Sequence, residues 1–129
     1  MVNHEKNKSQ SEILVKQIEE FVTYLGVEKN YAQNTIASYE RDLLKFLSFL
    51  INRNIADWLE IESDTVNLFV MGLRHSEMSG KSIRRYLSSI RGFFNFLIDN
   101  GVMVKNPALS IQTPKIDRVL PKTIDFDDL

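Results

Sequence analysis

The residues here whose spacing suits chemistry are basic, and they stand close together. Lys81, Arg84, Arg85 and Arg91 share one short stretch with Ser82, Ser88, Ser89 and Asn95. Cations mixed with hydroxyls and amides are the side chains that meet phosphate oxygens and base edges of nucleic acid. Residues for covalent or acid–base catalysis are not grouped in this way. His4 and His75 are the only histidines and lie too far apart to suggest a metal pair. The absence of cysteine removes disulfides, thiolate metal sites and cysteine nucleophiles. The glycines are isolated, so no loop is built to cradle a phosphate. Ser, His and Asp all occur without a spacing that ties them together. Asp64 and Glu77 have no evident acid partner. The acidic run at 125–128 reads as a helix start or a tail rather than a metal site. Tyr24, Tyr31, Tyr39 and Tyr86 fit helix stripes or their flanks better than a nucleophile's position. No metal and no cofactor are expected.

Helices must position the basic residues. All three prolines fall after residue 106, which leaves a long Pro-free stretch and favours an all-α fold. Residues 1–10 read as a disordered tail. From Ser11, a plausible N-cap, Leu14, Ile18, Phe21, Val22 and Leu25 recur at helical spacing up to Gly26, a plausible stop. A second helix is expected from about Asn34 to Arg53, carrying Ile36, Tyr39, Leu43, Phe46, Leu47 and Leu50. A third starts at a Ser63 cap and ends near Ser76. The fourth opens at Ser79-Gly80 and stops at Asn100-Gly101. A short fifth helix or turn is expected after Asn106-Pro107. The helical domain then covers 11–111, residues 112–123 read as an extended linker, and 124–129 as the stub of a further domain.

Angular placement sorts the fourth helix into two faces. At about 100° per residue, its apolar side chains fill an arc of roughly 140°. Lys81, Arg84, Arg85 and Arg91 occupy roughly 120° on the other side, with Ser88 and Asn95 among them. No Asp or Glu occurs between Ser79 and Ile98. The second helix repeats this more weakly: Asn34, Ser38, Arg41 and Lys45 share an arc opposite the apolar stripe, with Glu40 and Asp42 to either side. Phe49 and Phe96 fall off the apolar arcs and are expected under the connecting loops, with a contact between protomers as the alternative.

The totals set limits. Lys plus Arg number 16 against 17 Asp plus Glu, for a net charge of −1. A nucleic-acid partner therefore requires the cations to be segregated, as the acids at Glu19, Glu20, Asp57, Glu60, Glu62 and Asp64 allow. No segment is apolar enough to span a membrane, and the N-terminus lacks the core of a signal peptide, so a cytoplasmic domain is expected. The ordinary alternative is that each charged arc is only a solvated face.

The order of segments is familiar. Asn34-Thr35-Ile36-Ala37-Ser38-Tyr39-Glu40-Arg41-Asp42-Leu43 resembles the second-helix motif NT-x-x-x-Y-x-x-DL of the tyrosine recombinase, or phage integrase, family. Residues 81–94 resemble that family's fourth helix, with its R-x-L-S-x-(I/L)-R-x-F-F pattern. Asn106-Pro107, Pro114-Lys115 and Leu120-Pro121 resemble the passage into its catalytic domain. The likeness spans about residues 12–129 and is nearest to Xer-like members.

The resemblance implies a SAM-like core-binding domain, an orthogonal bundle of four to five helices that grips one face of a recombination site in double-stranded DNA. The family's own C-terminal catalytic domain grips the other face. It implies DNA contacts at Asn34, Thr35, Ser38 and Arg41, and at Lys81, Arg84, Arg85, Ser88 and Arg91; Lys45 joins them from its arc. The family's tyrosine nucleophile forms a 3′-phosphotyrosyl link to DNA, but belongs to the catalytic domain, so this chain is expected to bind DNA without cutting it. The family works as a homo-tetramer on DNA; the isolated domain is expected to be a monomer. Ala32 stands where the family often has Ser or Thr as N-cap, so Gln33 or Asn34 is expected to take over the start of the second helix. Two other readings stay open: a helical module docking an acidic protein, and a helix-turn-helix regulator reading DNA with the fourth helix.

Overall fold

The computed structural model describes residues 4–112, with side chains from residue 11 onward. It contains α1 (His4–Val27), α2 (Gln33–Asn52), α3 (Ser63–His75) and α4 (Gly80–Asp99), with a 3-10 turn at Trp58–Glu60 between α2 and α3. No strand occurs among the described residues, and the fold is all-α. The expected linker beyond residue 112 and the stub at 124–129 lie outside the described residues.

The core forms because each helix offers one apolar stripe. α1 contributes Leu14, Ile18, Phe21 and Leu25, at steps of three and four residues. α2 adds Leu43, Phe46, Leu47 and Leu50, and α3 adds Val66, Phe69, Val70 and Leu73. α4 carries the widest stripe, including Ile83, Leu87, Ile90, Phe93, Phe94 and Leu97. It is the central element: Phe93 meets Phe21 of α1 at 5.5 Å and Trp58 at 4.9 Å, while Phe94 meets Phe46 of α2 at 6.1 Å. Each large side chain buried here contributes about 1.5–3 kcal/mol. Trp58 is sealed in the core, and its indole N–H donates to Gln17 Oε1, which ties the α2–α3 connector to α1.

Several ends differ from the sequence expectation. α1 begins at His4, so residues 4–10 belong to it and Ser11 lies inside the helix rather than capping it. α1 passes through Gly26, and the chain reverses at Asn30, whose φ of 55° lets the Tyr31 N–H reach the Leu25 carbonyl at 3.0 Å. Ala32 does serve as the N-cap of α2, in extended backbone and without a side-chain bond, so neither Gln33 nor Asn34 displaces it. Glu62 caps α3 in place of Ser63, through a capping box with Thr65. Ser79 caps α4 by accepting from the Ser82 N–H at 3.1 Å, and Gly101 (φ 77°) closes the far end. Residues 107–110 form turns, the second of the two forms expected there, and no fifth helix occurs among the described residues. Phe49 and Phe96 lie in seams between helices, not under loops. Phe49 packs on Phe69 of α3 at 5.3 Å, and Phe96 on Phe21 and Tyr24 of α1 at 5.4 and 5.0 Å.

Candidate nucleic-acid interface

α2 and α4 meet through a buried acid. Asp42 is 1% exposed, a position that a carboxylate takes only with partners in place. Arg85 supplies them, donating Nε to Oδ2 and Nη2 to Oδ1 at 2.9 Å each. The fork matches the carboxylate edge to edge. The Ser89 hydroxyl lies 3.0 Å from Asp42 Oδ2 and 2.8 Å from the Arg85 carbonyl, so its single proton serves two acceptors. The hydrogen bond to Asp42 raises the Arg85 pKa above its ordinary value, partly offset by desolvation, and Arg85 stays a cation. Its guanidinium also lies over Tyr86 at 5.3 Å, and Lys45 Nζ approaches the same ring at 5.9 Å. Thus α2 and α4 bring Lys45 and Arg85 to one ring and join their basic arcs into one surface.

The candidate side chains divide by what they touch. Asn34, Thr35, Arg41, Lys45, Lys81 and Ser88 are exposed. Arg41 makes one long contact to Ser38 Oγ at 3.4 Å, and neither it, Lys45 nor Lys81 has an acid partner among the described residues. Arg84 is half-buried, and its Nε is enclosed without a hydrogen-bond partner. Arg85 and Arg91 are engaged within the protein. Arg91 donates Nε to the Ala108 carbonyl at 2.9 Å and Nη2 to the Ile111 carbonyl, holding the segment after α4 against the bundle. Asn106, within the same segment, donates to the Arg91 carbonyl at 3.1 Å and to Asn95 Oδ1 at 2.9 Å.

Between the end of α1, the start of α2 and the outer face of α4 runs a groove of about 450 Å³, lined by Tyr24, Tyr31, Tyr39, Ser88 and Asn95 among others. Tyr31 and Tyr39 meet edge to face at 6.1 Å. Burial first, then the neighbouring Tyr31 and Asp42, push the Tyr39 hydroxyl above its ordinary pKa. No group of three or more His, Asp or Glu is placed to hold a metal among the described residues, and no described helix is long and apolar enough to cross a membrane.

Asp42, Ser89, Asn95 and Asn106 are structural parts of the site that were not among the expected DNA contacts. Asp42 and Ser89 sit at the flanks of their arcs, where two helices face each other, and that position was their signal.

The model of the phage integrase N-terminal SAM-like domain matches residues 18–101. The chain belongs to this family. Among curated relatives, the domain is 35% identical over 109 residues to a tyrosine recombinase XerC of Herpetosiphon aurantiacus, covering 84% of this chain and 36% of that protein. It is 36% identical over 113 residues to a tyrosine recombinase XerD of Listeria monocytogenes, covering 87% and 38%. A XerC of Shigella flexneri is 31% identical over 112 residues, covering 87% and 38%. The chain thus spans little more than a third of the length of the relatives it matches. No solved structure matches it. In this SAM-like domain the aspartate of the second-helix motif is the buried anchor of α2 on α4.

Proposed function

We propose that this chain is the DNA-binding N-terminal domain of a tyrosine site-specific recombinase, gripping one face of a recombination site with α2 and α4. The observation that carries this is the surface that Lys45 and Arg85 join around Tyr86, where Lys81, Arg41 and Lys45 have no acid partner among the described residues. In a chain of net charge −1, such cations drive binding only when gathered on one face. Lys81, Arg84, Arg41 and Lys45 act as the phosphate contacts, with Asn34, Thr35, Ser38 and Ser88 as shorter polar contacts between them. Arg85 and Arg91 serve first as framework. Arg85, at 38% side-chain exposure, still offers charge to a nearby phosphate.

The whole protein then works in the cytoplasm, as a tetramer on two duplexes. A C-terminal catalytic domain supplies the tyrosine that forms the 3′-phosphotyrosyl intermediate and the cations that stabilise it. The linker from residue 112 joins the two halves into a clamp, and tethering raises the effective concentration of each half at the site.

Fluorescence anisotropy of a duplex of about 30 base pairs, titrated across salt, tests the reading. Lys81→Ala/Arg84→Ala is expected to weaken binding at every salt concentration and to lower the log–log salt slope by about two, with circular dichroism unchanged. Binding that ignores both changes and salt would return this surface to solvent or to a protein partner.

A further inference from the structure

Asn95 is exposed one helical turn beyond Arg91, and it lines the groove with Ser88 and Tyr39. A carboxamide has a donor end and an acceptor end, and nothing on α4 alone decides which one points where. The segment after α4 decides it. The Ala108 N–H donates to Asn106 Oδ1 at 3.0 Å, and Asn106 Nδ2 donates to the Arg91 carbonyl at 3.1 Å. Both backbone groups have fixed polarity, so Asn106 has one orientation. Its Nδ2 also lies 2.9 Å from Asn95, and a donor there requires an acceptor, Asn95 Oδ1. The Asn95 NH₂ has no partner among the described residues.

We propose that Asn95 is a specificity-determining contact, a donor held ready for acceptor atoms on a base edge, and that it favours guanine over adenine. This rests on the reading that the face meets DNA. In the major groove guanine presents two acceptors, N7 and O6, whereas adenine pairs an acceptor, N7, with a donor, N6. A free carboxamide suits adenine by using both ends together. Asn106 takes one of the two lone pairs of Oδ1 and holds that oxygen toward the segment after α4, so the NH₂ is the end Asn95 presents, and it suits two neighbouring acceptors better than an acceptor beside a donor.

The test is selection from a randomised duplex library by the full chain at low salt, followed by anisotropy on the selected duplex and its single-base variants. Wild type is expected to select guanine at one position. Asn95→Ala erases that preference and weakens binding to the selected duplex roughly two- to tenfold, the worth of one hydrogen bond, with other positions kept. Asn106→Asp is the sharper variant. Its carboxylate still accepts from the Ala108 N–H, gives up the bond to the Arg91 carbonyl, and now accepts from Asn95 as well. The Asn95 amide turns over, presents its oxygen, and moves the preference to cytosine or adenine, whose amino groups donate. If circular dichroism shows Asn106→Asp unfolded, Asn95→Asp makes the same switch, because Asn106 still donates to one oxygen and the other stands free. Equal loss on all duplexes in Asn95→Ala reduces Asn95 to a phosphate contact and overturns the proposal. So does an unchanged preference in the folded switching variant. A wild-type chain that binds no duplex at low salt overturns the DNA reading itself, and this inference with it.

Discussion

Arg85→Ala is expected to destabilise the fold more than Asp42→Ala, although Arg85 is the more exposed partner. Asp42 is 1% exposed and the Arg85 side chain 38%. Removing Arg85 takes away both 2.9 Å bonds and leaves a buried carboxylate with only the Ser89 hydroxyl. Leaving one partner of a buried pair uncompensated costs about 3–5 kcal/mol. Removing Asp42 frees a guanidinium that water can solvate again, and Ser89 keeps its bond to the Arg85 carbonyl. That loss is about 1–3 kcal/mol, after discounting the exposed partner for screening. The double variant leaves no orphaned charge and is expected to recover at least 1 kcal/mol relative to Arg85→Ala, as contacting pairs do. Urea unfolding at constant slope measures all three changes. Against a total stability of about 5–15 kcal/mol, Arg85→Ala alone moves the midpoint visibly. Arg85→Ala within 0.5 kcal/mol of wild type (roughly the range of ordinary surface changes), or a double variant with purely additive losses, would refute the anchor.

Three further expectations concern other positions. Gly72→Ala is expected to stabilise by about 0.5–1 kcal/mol in thermal unfolding, because a Cβ there meets nothing within 4 Å inside α3. Ala32→Ser supplies the missing cap of α2, whose N-cap backbone is already extended, and should add about 1 kcal/mol by the same assay. Tyr39, with its pKa raised by burial, contributes stability that is full below the free tyrosine pKa of 10.0 and is lost as pH rises through its folded value. Tyr39→Phe should therefore flatten the fall in melting temperature above that pH, and an equally steep fall in the variant would count against the burial of its hydroxyl.

The helices were legible because their apolar spacing is strict. Leu14, Ile18, Phe21 and Leu25 at steps of three and four could bury themselves only on a helix, and the structure buries all four. Ends were less legible, since caps depend on local backbone that periodicity does not encode. Ser63 looked like the cap of α3, yet Glu62 takes that place because Thr65 answers it three residues later. After Asn106-Pro107 the sequence left a helix and a turn both open, and the structure takes the turn. The choice depends on Arg91, which reaches from α4 to the Ala108 carbonyl, a restraint that the composition of the segment itself does not encode.

The basic arc of α4 shows where angular placement stops being informative. On a wheel, Arg84, Arg85 and Arg91 are equivalent cations on one face. In three dimensions that face has neighbours: α2 covers one flank with Asp42, and the chain after Gly101 folds back to place the Ala108 and Ile111 carbonyls before Arg91. Arg85 and Arg91 therefore hold the surface in shape, while Lys81 and Arg41 have no acid partner among the described residues and are the cations the proposed DNA contact would use. The division follows from the physics of burial. A cation beside a packed neighbour costs stability unless it finds an acceptor, so the residues nearest the seams become framework and those between them stay available. Asp42 stands at the hinge of this arrangement. It tethers the one helix to the other through Arg85 and thereby sets the register in which Lys45 joins the α4 cations. Weakening the pair should therefore reduce DNA affinity as well as stability, even though Asp42 is negative and its removal makes the surface more basic. A gain in affinity in a folded Asp42→Ala variant would show that charge outweighs register on this surface.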